Sequence, residues 1–144
     1  MIKKLLVVMI LALALLFITA CGVPTESGEE PGEVTLPDEL PAEVQAWIDS
    51  RIEQFGAQTF RHEGILYLLV TYGEKPTGGF EVEITDISEE EDKLVVTANF
   101  VEPGEEDVVI QALTYPYDLA MLEDPGLPVE FIATGAESEV PVID

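Results

Sequence analysis

The sequence predicts an α+β domain: one N-terminal helix packed on a curved, mainly antiparallel β-sheet, with barrel-like closure as its open variant. Three observations predict it. Apolar residues recur at helical spacing in one place, residues 38–56. From Ala57 onward the apolar period falls to two. Within that stretch the run ILYLLVT, Ile65 to Thr71, has no polar alternation, the signature of a central strand covered on both faces.

The first twenty residues, MIKKLLVVMILALALLFITA, precede Cys21. Lys3 and Lys4 form a short basic start, and Leu5 to Ile18 is an unbroken apolar run. That run is shorter than the ~20 residues of a membrane-spanning helix but suits the core of a signal peptide. Ile18-Thr19-Ala20-Cys21 resembles a bacterial lipobox, an aliphatic residue and two small ones before a cysteine. The resemblance implies cleavage before Cys21 and lipidation of its sulfur with palmitate-type acyl chains. Two such chains give stable anchoring where one holds only marginally. The expectation is a lipoprotein held at the extracytoplasmic face of the cell membrane through Cys21. Residues 21–37 then read as the lipidated cysteine and a disordered acidic tether, rich in Pro, Gly and Glu and without aromatics.

The domain proper is expected over residues 38–134. In DELPAEVQAWIDSRIEQFG the residues Leu40, Val44, Trp47, Ile48, Ile52 and Phe55 share one helix face. Asp38 offers an N-cap, Pro41 fits the first turn and Gly56 can stop the helix. Trp47, on the apolar stripe, is read as core. Strands are expected at Ala57–His62, Ile65–Thr71, Phe80–Ile87, Leu94–Val101, Val108–Leu113, Tyr117–Leu122 and Val129–Ala133, with Ser88–Lys93 joining the third and fourth as a hairpin. Residues 135–144 read as a loose acidic tail.

Charge narrows the function. Six basic residues face 29 acidic ones, a formal charge of -23. Removing Lys3 and Lys4 with the leader leaves 4 - 29 = -25. Such a field repels the phosphates that nucleic-acid binding must neutralise, and it holds the folded body off an anionic bilayer. Cys21 is the one cysteine, so no internal disulfide or cysteine-based metal cluster can form. His62, the one histidine, sits between Arg61 and Glu63 as a solvated strand-end residue.

Two strings stand out. GEKPTGGF, Gly73 to Phe80, has a lysine among glycines. A phosphate-binding loop needs G-x-x-x-x-G-K-[ST] running into a helix. Here Lys75 precedes Pro76, and the glycines run into a strand, so that chemistry is excluded. The string is open between a turn reversing the chain, with Pro76 at its second position and Gly78 or Gly79 at positive φ, and a loop whose paired glycines admit a ligand or another backbone. In LTYPYDL, Leu113 to Leu119, Tyr115 and Tyr117 project to the same side of an extended chain, and Pro116 removes a ladder donor between them. The pair is either a contact surface or a bent strand with half-buried rings.

Together the strings resemble the C-terminal domain of the PrcB protease-complex subunits. The resemblance rests on Gly73, Lys75, Pro76, Thr77, Gly78, Gly79, Phe80, Val82 and Ile84, then on Thr114, Tyr115, Pro116 and Tyr117, and covers residues 65–122. The family more often has tyrosine where Phe80 stands, so a role for that hydroxyl is missing. The resemblance implies a small exported, often lipid-anchored domain without catalysis, whose namesake is associated with assembling or stabilising a cell-surface protease. Candidate partner contacts are Lys75, Pro76, Thr77, Gly78, Gly79, Phe80, Tyr115, Pro116 and Tyr117.

No nucleophile sits in an elbow motif, and the SEEED run at Ser88–Asp92 lacks the spacing of a calcium loop. The expected function is therefore non-catalytic: a lipid-anchored domain that binds or stabilises a protein, a cell-surface protease being the family's example. No catalytic residue, metal or cofactor is expected. The alternative is an acidic surface domain binding a small ligand or divalent cation.

Overall fold

A computed structural model of the chain describes residues 36–136 and 139–143. The leader, Cys21 and nearly all of the tether lie outside the described residues. Those described form one helix, α1 (Ala42–Asp49), and six strands: β1 (Phe55–His62), β2 (Ile65–Tyr72), β3 (Glu81–Glu89), β4 (Leu94–Val101), β5 (Tyr117–Glu123) and β6 (Val129–Gly135). They make two three-stranded sheets, ordered β1-β2-β5 and β3-β4-β6, rather than one sheet or a closed barrel. Three pairings are antiparallel, and β4 with β6 is parallel.

The architecture follows from β2. Residues 66–72 are all buried. Tyr67 and Leu69 face α1, packing with Val44, Ile48, Leu119 and Met121. Leu66 and Leu68 face the other way, onto Leu94 and Val96 of β4, and beyond them Val70 and Tyr72 meet Val82, Ala98 and Phe100. The layers are thus helix, first sheet, second sheet. The apolar run read as a strand covered on both sides is the strand in the middle. Trp47 stacks on Phe60 at the edge of the helix layer, ring centres 5.2 Å apart.

The helix is shorter than its apolar stripe. It ends at Asp49, with Pro41 rather than Asp38 in the N-cap position. Phe55 and Gly56, expected at its end, belong to β1, because the tertiary pull exceeds local propensity. The Thr71 hydroxyl donates to the carbonyls of Gln54 and Gly56. Phe55 turns its ring into the inter-sheet cluster of Tyr72 and Phe100. A Cβ on Gly56 would lie 2.6 Å from Ile143 Cδ1 and 2.8 Å from the Pro141 carbonyl. Gly56 is there to admit the chain's own tail, not to stop a helix. That tail, read as loose, runs beside β1: Ala57 N–H donates to Pro141 O (2.9 Å) and Ile143 N–H to Ala57 O (3.0 Å).

Asp118 holds the two sheets together where β5 passes β3. Its Oδ2 accepts the Ile84 N–H (2.7 Å), next to the irregularity between Ile84 and Asp86, and its Oδ1 accepts the Leu119 N–H (2.9 Å). At the far end of β5, Asp124 takes N–H bonds from Gly126 and Arg61. The Gly126 N–H, then the Arg61 guanidinium, hold its carboxyl below the usual carboxylate range.

Leu68 is fully buried between the sheets and Ile132 is 43% exposed. Leu68→Ala should cost about 2–5 kcal/mol of unfolding free energy in urea titration, and Ile132→Ala within about 0.5 kcal/mol. Equal losses would contradict this layering.

Candidate partner-contact surface

Gly73 to Phe80 leaves the end of β2 and enters β3 in the other sheet. It is a crossing between sheets, not the reversal of a hairpin. Near its start Lys75 pairs with Thr114 in a two-bond bridge, Lys75 N–H to Thr114 O (2.9 Å) and Thr114 N–H to Lys75 O (3.0 Å). The Thr114 hydroxyl donates to Thr77 O (2.7 Å), and the Tyr72 N–H donates to Pro116 O (2.8 Å). The two strings singled out in the sequence are therefore one joint.

The Lys75 ammonium lies 3.7 Å from the centre of the Tyr72 ring and 5.2 Å from that of Phe80. The negative face of an aromatic ring attracts a cation, and the two rings meet edge to face at 5.7 Å. Lys75 thus caps the inter-sheet aromatic cluster. Among the described residues no carboxylate is within ion-pair distance of it.

What approaches the glycines is the chain itself. Residues 102–113, including the expected strand Val108–Leu113, form an irregular strap across the loop. Its start is a turn in which Gly104 N–H donates to Asp107 Oδ2 (2.7 Å) and Asp107 N–H to Gly104 O (3.1 Å). Ile110 O accepts the Gly78 N–H (3.0 Å). A Cβ on Gly78 would sit 2.7 Å from Ile110 Cγ1. Gly79, at φ +85, would place one 2.7 Å from Val109 Cγ1 and 2.9 Å from Pro103 Cβ. The strap pairs with no strand among the described residues: its backbone bond to the loop is the one at Ile110 O, and a bend follows at Gln111 and Ala112. Val109 packs inward, while Val108, Ile110 and Leu113 remain exposed.

The candidate contacts divide accordingly. Gly78 is buried; Gly79 is exposed, with Val109 and Pro103 of the strap standing where its Cβ would be. Lys75, Thr77 and Phe80 are half-buried with internal partners, and Pro76 is exposed. Tyr115 is half-buried, and its hydroxyl donates to Glu74 Oε2 (3.0 Å). That bond, then desolvation and the Glu74 charge, raise the phenol above its ordinary value of 10.0. Pro116 is half-buried, and Tyr117 is 46% exposed. Tyr117 lines a separate open groove of about 730 Å³ beside residues 36–40 and the start of α1. Sequence reading missed Val108, Ile110 and Leu113 as surface residues. The available signal was the glycine pair, which demanded something close above it. No group of three or more His, Cys, Asp or Glu among the described residues is disposed to hold a metal ion.

Fold and joint together define a small, mostly β domain capped by one helix, in which a glycine loop switches sheets under an apolar strap. Residues 66–123, β2 through β5 with both strings, match the family model described as PrcB C-terminal, the family that the two strings resemble. Comparison with curated proteins and with solved structures found no match.

Gly126 also has positive φ, +71, with nothing near its Cβ position. Gly79→Ala should therefore be worse than Gly126→Ala, by the ~1–3 kcal/mol that overpacking costs, measured as the difference of their urea midpoints. A raised Tyr115 pKa supplies stability that is full below the unfolded-state value and lost as pH rises through the folded one. The stability difference between wild type and Tyr115→Phe should accordingly shrink above pH 10.0. In a phenolate absorbance titration the component lost in Tyr115→Phe should have a midpoint above 10.0, and Glu74→Gln should lower it.

Proposed function

We propose that this chain is a lipid-anchored extracytoplasmic domain without catalysis that binds or stabilises a partner protein, in the manner the family's protease-associated namesake suggests. Anchoring is read from the leader and Cys21. One observation carries partner binding: three large apolar side chains, Val108, Ile110 and Leu113, are exposed on a strap fixed over the joint of the family strings. Apolar side chains gathered on a single exposed segment are a mark of interaction sites in soluble domains. The loop residues first read as contacts become the support of that surface. A small-ligand reading would use the groove at Tyr117, which is open and shares its walls with the end of the tether.

The full-length protein, cross-linked in native membranes and purified, should retain a partner that the triple variant Val108→Ser, Ile110→Ser, Leu113→Ser loses. Those side chains are exposed, so the melting temperature of the variant should stay close to wild type. Cys21→Ala should release the protein from the membrane without abolishing partner binding in detergent. Recovery of the same proteins with wild type and triple variant would defeat this reading.

A further inference from the structure

We infer that the strap is a template for strand addition, and that its occupant is an extended segment of a partner protein alternating apolar with basic side chains. This rests on the partner-binding reading above and specifies its mode. The backbone supplies the first reason. None of the N–H groups of Val108 through Leu113 donates a hydrogen bond, although Asp107 before them and Thr114 after them do. A sheet edge offers an incoming strand the unpaired donors of alternate residues, those turned away from the structure behind them.

Preorganisation supplies the second. The turn at Gly104–Asp107 and the Lys75–Thr114 bridge pin both ends of the segment, and Gly78 holds its middle through Ile110 O. In extended backbone a residue's N–H and C=O point to one side and its neighbours' to the other. Ile110 faces the loop, so Val109 turns its N–H outward. The bend at Gln111 and Ala112 confines an uninterrupted ladder to Val108–Ile110 and leaves Leu113 as a flanking contact. The side chains agree, for Val108, Val109 and Ile110 are β-branched residues that favour strands.

Charge selects the occupant. Glu102, Glu105, Glu106 and Asp107 are exposed at the start of the strap, and no Lys, Arg or His follows Lys93 in the sequence. A second copy is as acidic as this one and carries no basic side chain on its own strap, so it supplies nothing that pairs with these acids. A strand carrying Lys or Arg between apolar residues meets both the acids and the valine and isoleucine side chains.

The test uses the full-length chain and a short alternating Lys–Val peptide. Two controls accompany it: the same peptide with N-methylated backbone nitrogens, and a Glu–Val peptide. The Lys–Val peptide should bind by fluorescence anisotropy and slow hydrogen exchange at Val109. N-methylation should weaken it at least about tenfold, the loss of one or two backbone hydrogen bonds. The Glu–Val peptide should not bind, and Val108→Ser with Ile110→Ser should weaken the Lys–Val peptide. Equal binding of the N-methylated peptide would mean simple charge adsorption and overturn strand addition, as would unchanged exchange at Val109. Concentration-dependent self-association protecting the same amides would make a second copy the occupant and overturn it too. Retention of a membrane partner together with failure of the peptide test removes strand addition alone. Peptide binding with amide protection, but no partner recovered from membranes, supports strand addition and removes the membrane-partner reading.

Discussion

Burial of β2 on both faces is the constraint from which the rest follows. Each fully buried leucine or valine contributes roughly 1.5–3 kcal/mol relative to exposure, and ILYLLVTY has a run of them that one apolar layer cannot cover. Alternate side chains point to opposite faces. Tyr67 and Leu69 therefore need α1, while Leu66, Leu68 and Val70 need a second sheet. An eight-residue helix suffices for the first task because Val44 and Ile48 alone reach the centre of the sheet. The second task requires the chain to leave the first sheet and build another in front of it.

The crossing happens once β2 ends, and its geometry dictates residue types. Tyr72 is buried at the last position of the strand and meets Phe55, Phe80 and Phe100. The Lys75 ammonium covers the face of its ring, at the apolar edge of the cluster. Gly78 and Gly79 follow because Ile110, Val109 and Pro103 occupy the space a Cβ would need. Asp118, accepting the Ile84 N–H, binds β5 to β3 where the two sheets would otherwise part. Loop, strap and seam solve one problem, turning a sandwich edge without leaving backbone groups unsatisfied where they are buried.

Periodicity made the central parts of this fold legible. The uninterrupted apolar run of β2, the alternation in β3 and β4, and the stripe through Val44, Trp47 and Ile48 each lie where structure formed. Failures came where a distant contact outweighed a local signal. Phe55 continues the helical stripe numerically, yet it joins β1 because Tyr72 and Phe100 are closer partners than the helix face. VVIQAL has the composition of a strand, but Val109 and Ile110 are committed to Gly79 and Gly78 across the chain. Two sheets instead of one, and the parallel pairing of β6 with β4, depend on which edges meet in space, and a period of two carries no such information. The joining of GEKPTGGF to TYPY was legible only as co-occurrence; the Lys75–Thr114 bridge gives its physical content.

That bridge also decides what a likeness in these strings can mean. The Thr77 carbonyl, the Thr114 backbone and hydroxyl, the Gly78 N–H and the Tyr115 hydroxyl are all engaged inside the domain. A group already hydrogen-bonded at home must break that bond to serve a partner, and the exchange gains little. The strings therefore specify a support. The surface they raise into solvent, Val108 with Ile110 and Leu113, lies between them and outside both. A chain sharing the strings would inherit the crossing between sheets and the clearance above its glycines. The side chains carried on the strap would be its own. Likeness in GEKPTGGF and TYPY thus transmits shape, and the exposed side chains of the strap are the ones these strings leave free to differ.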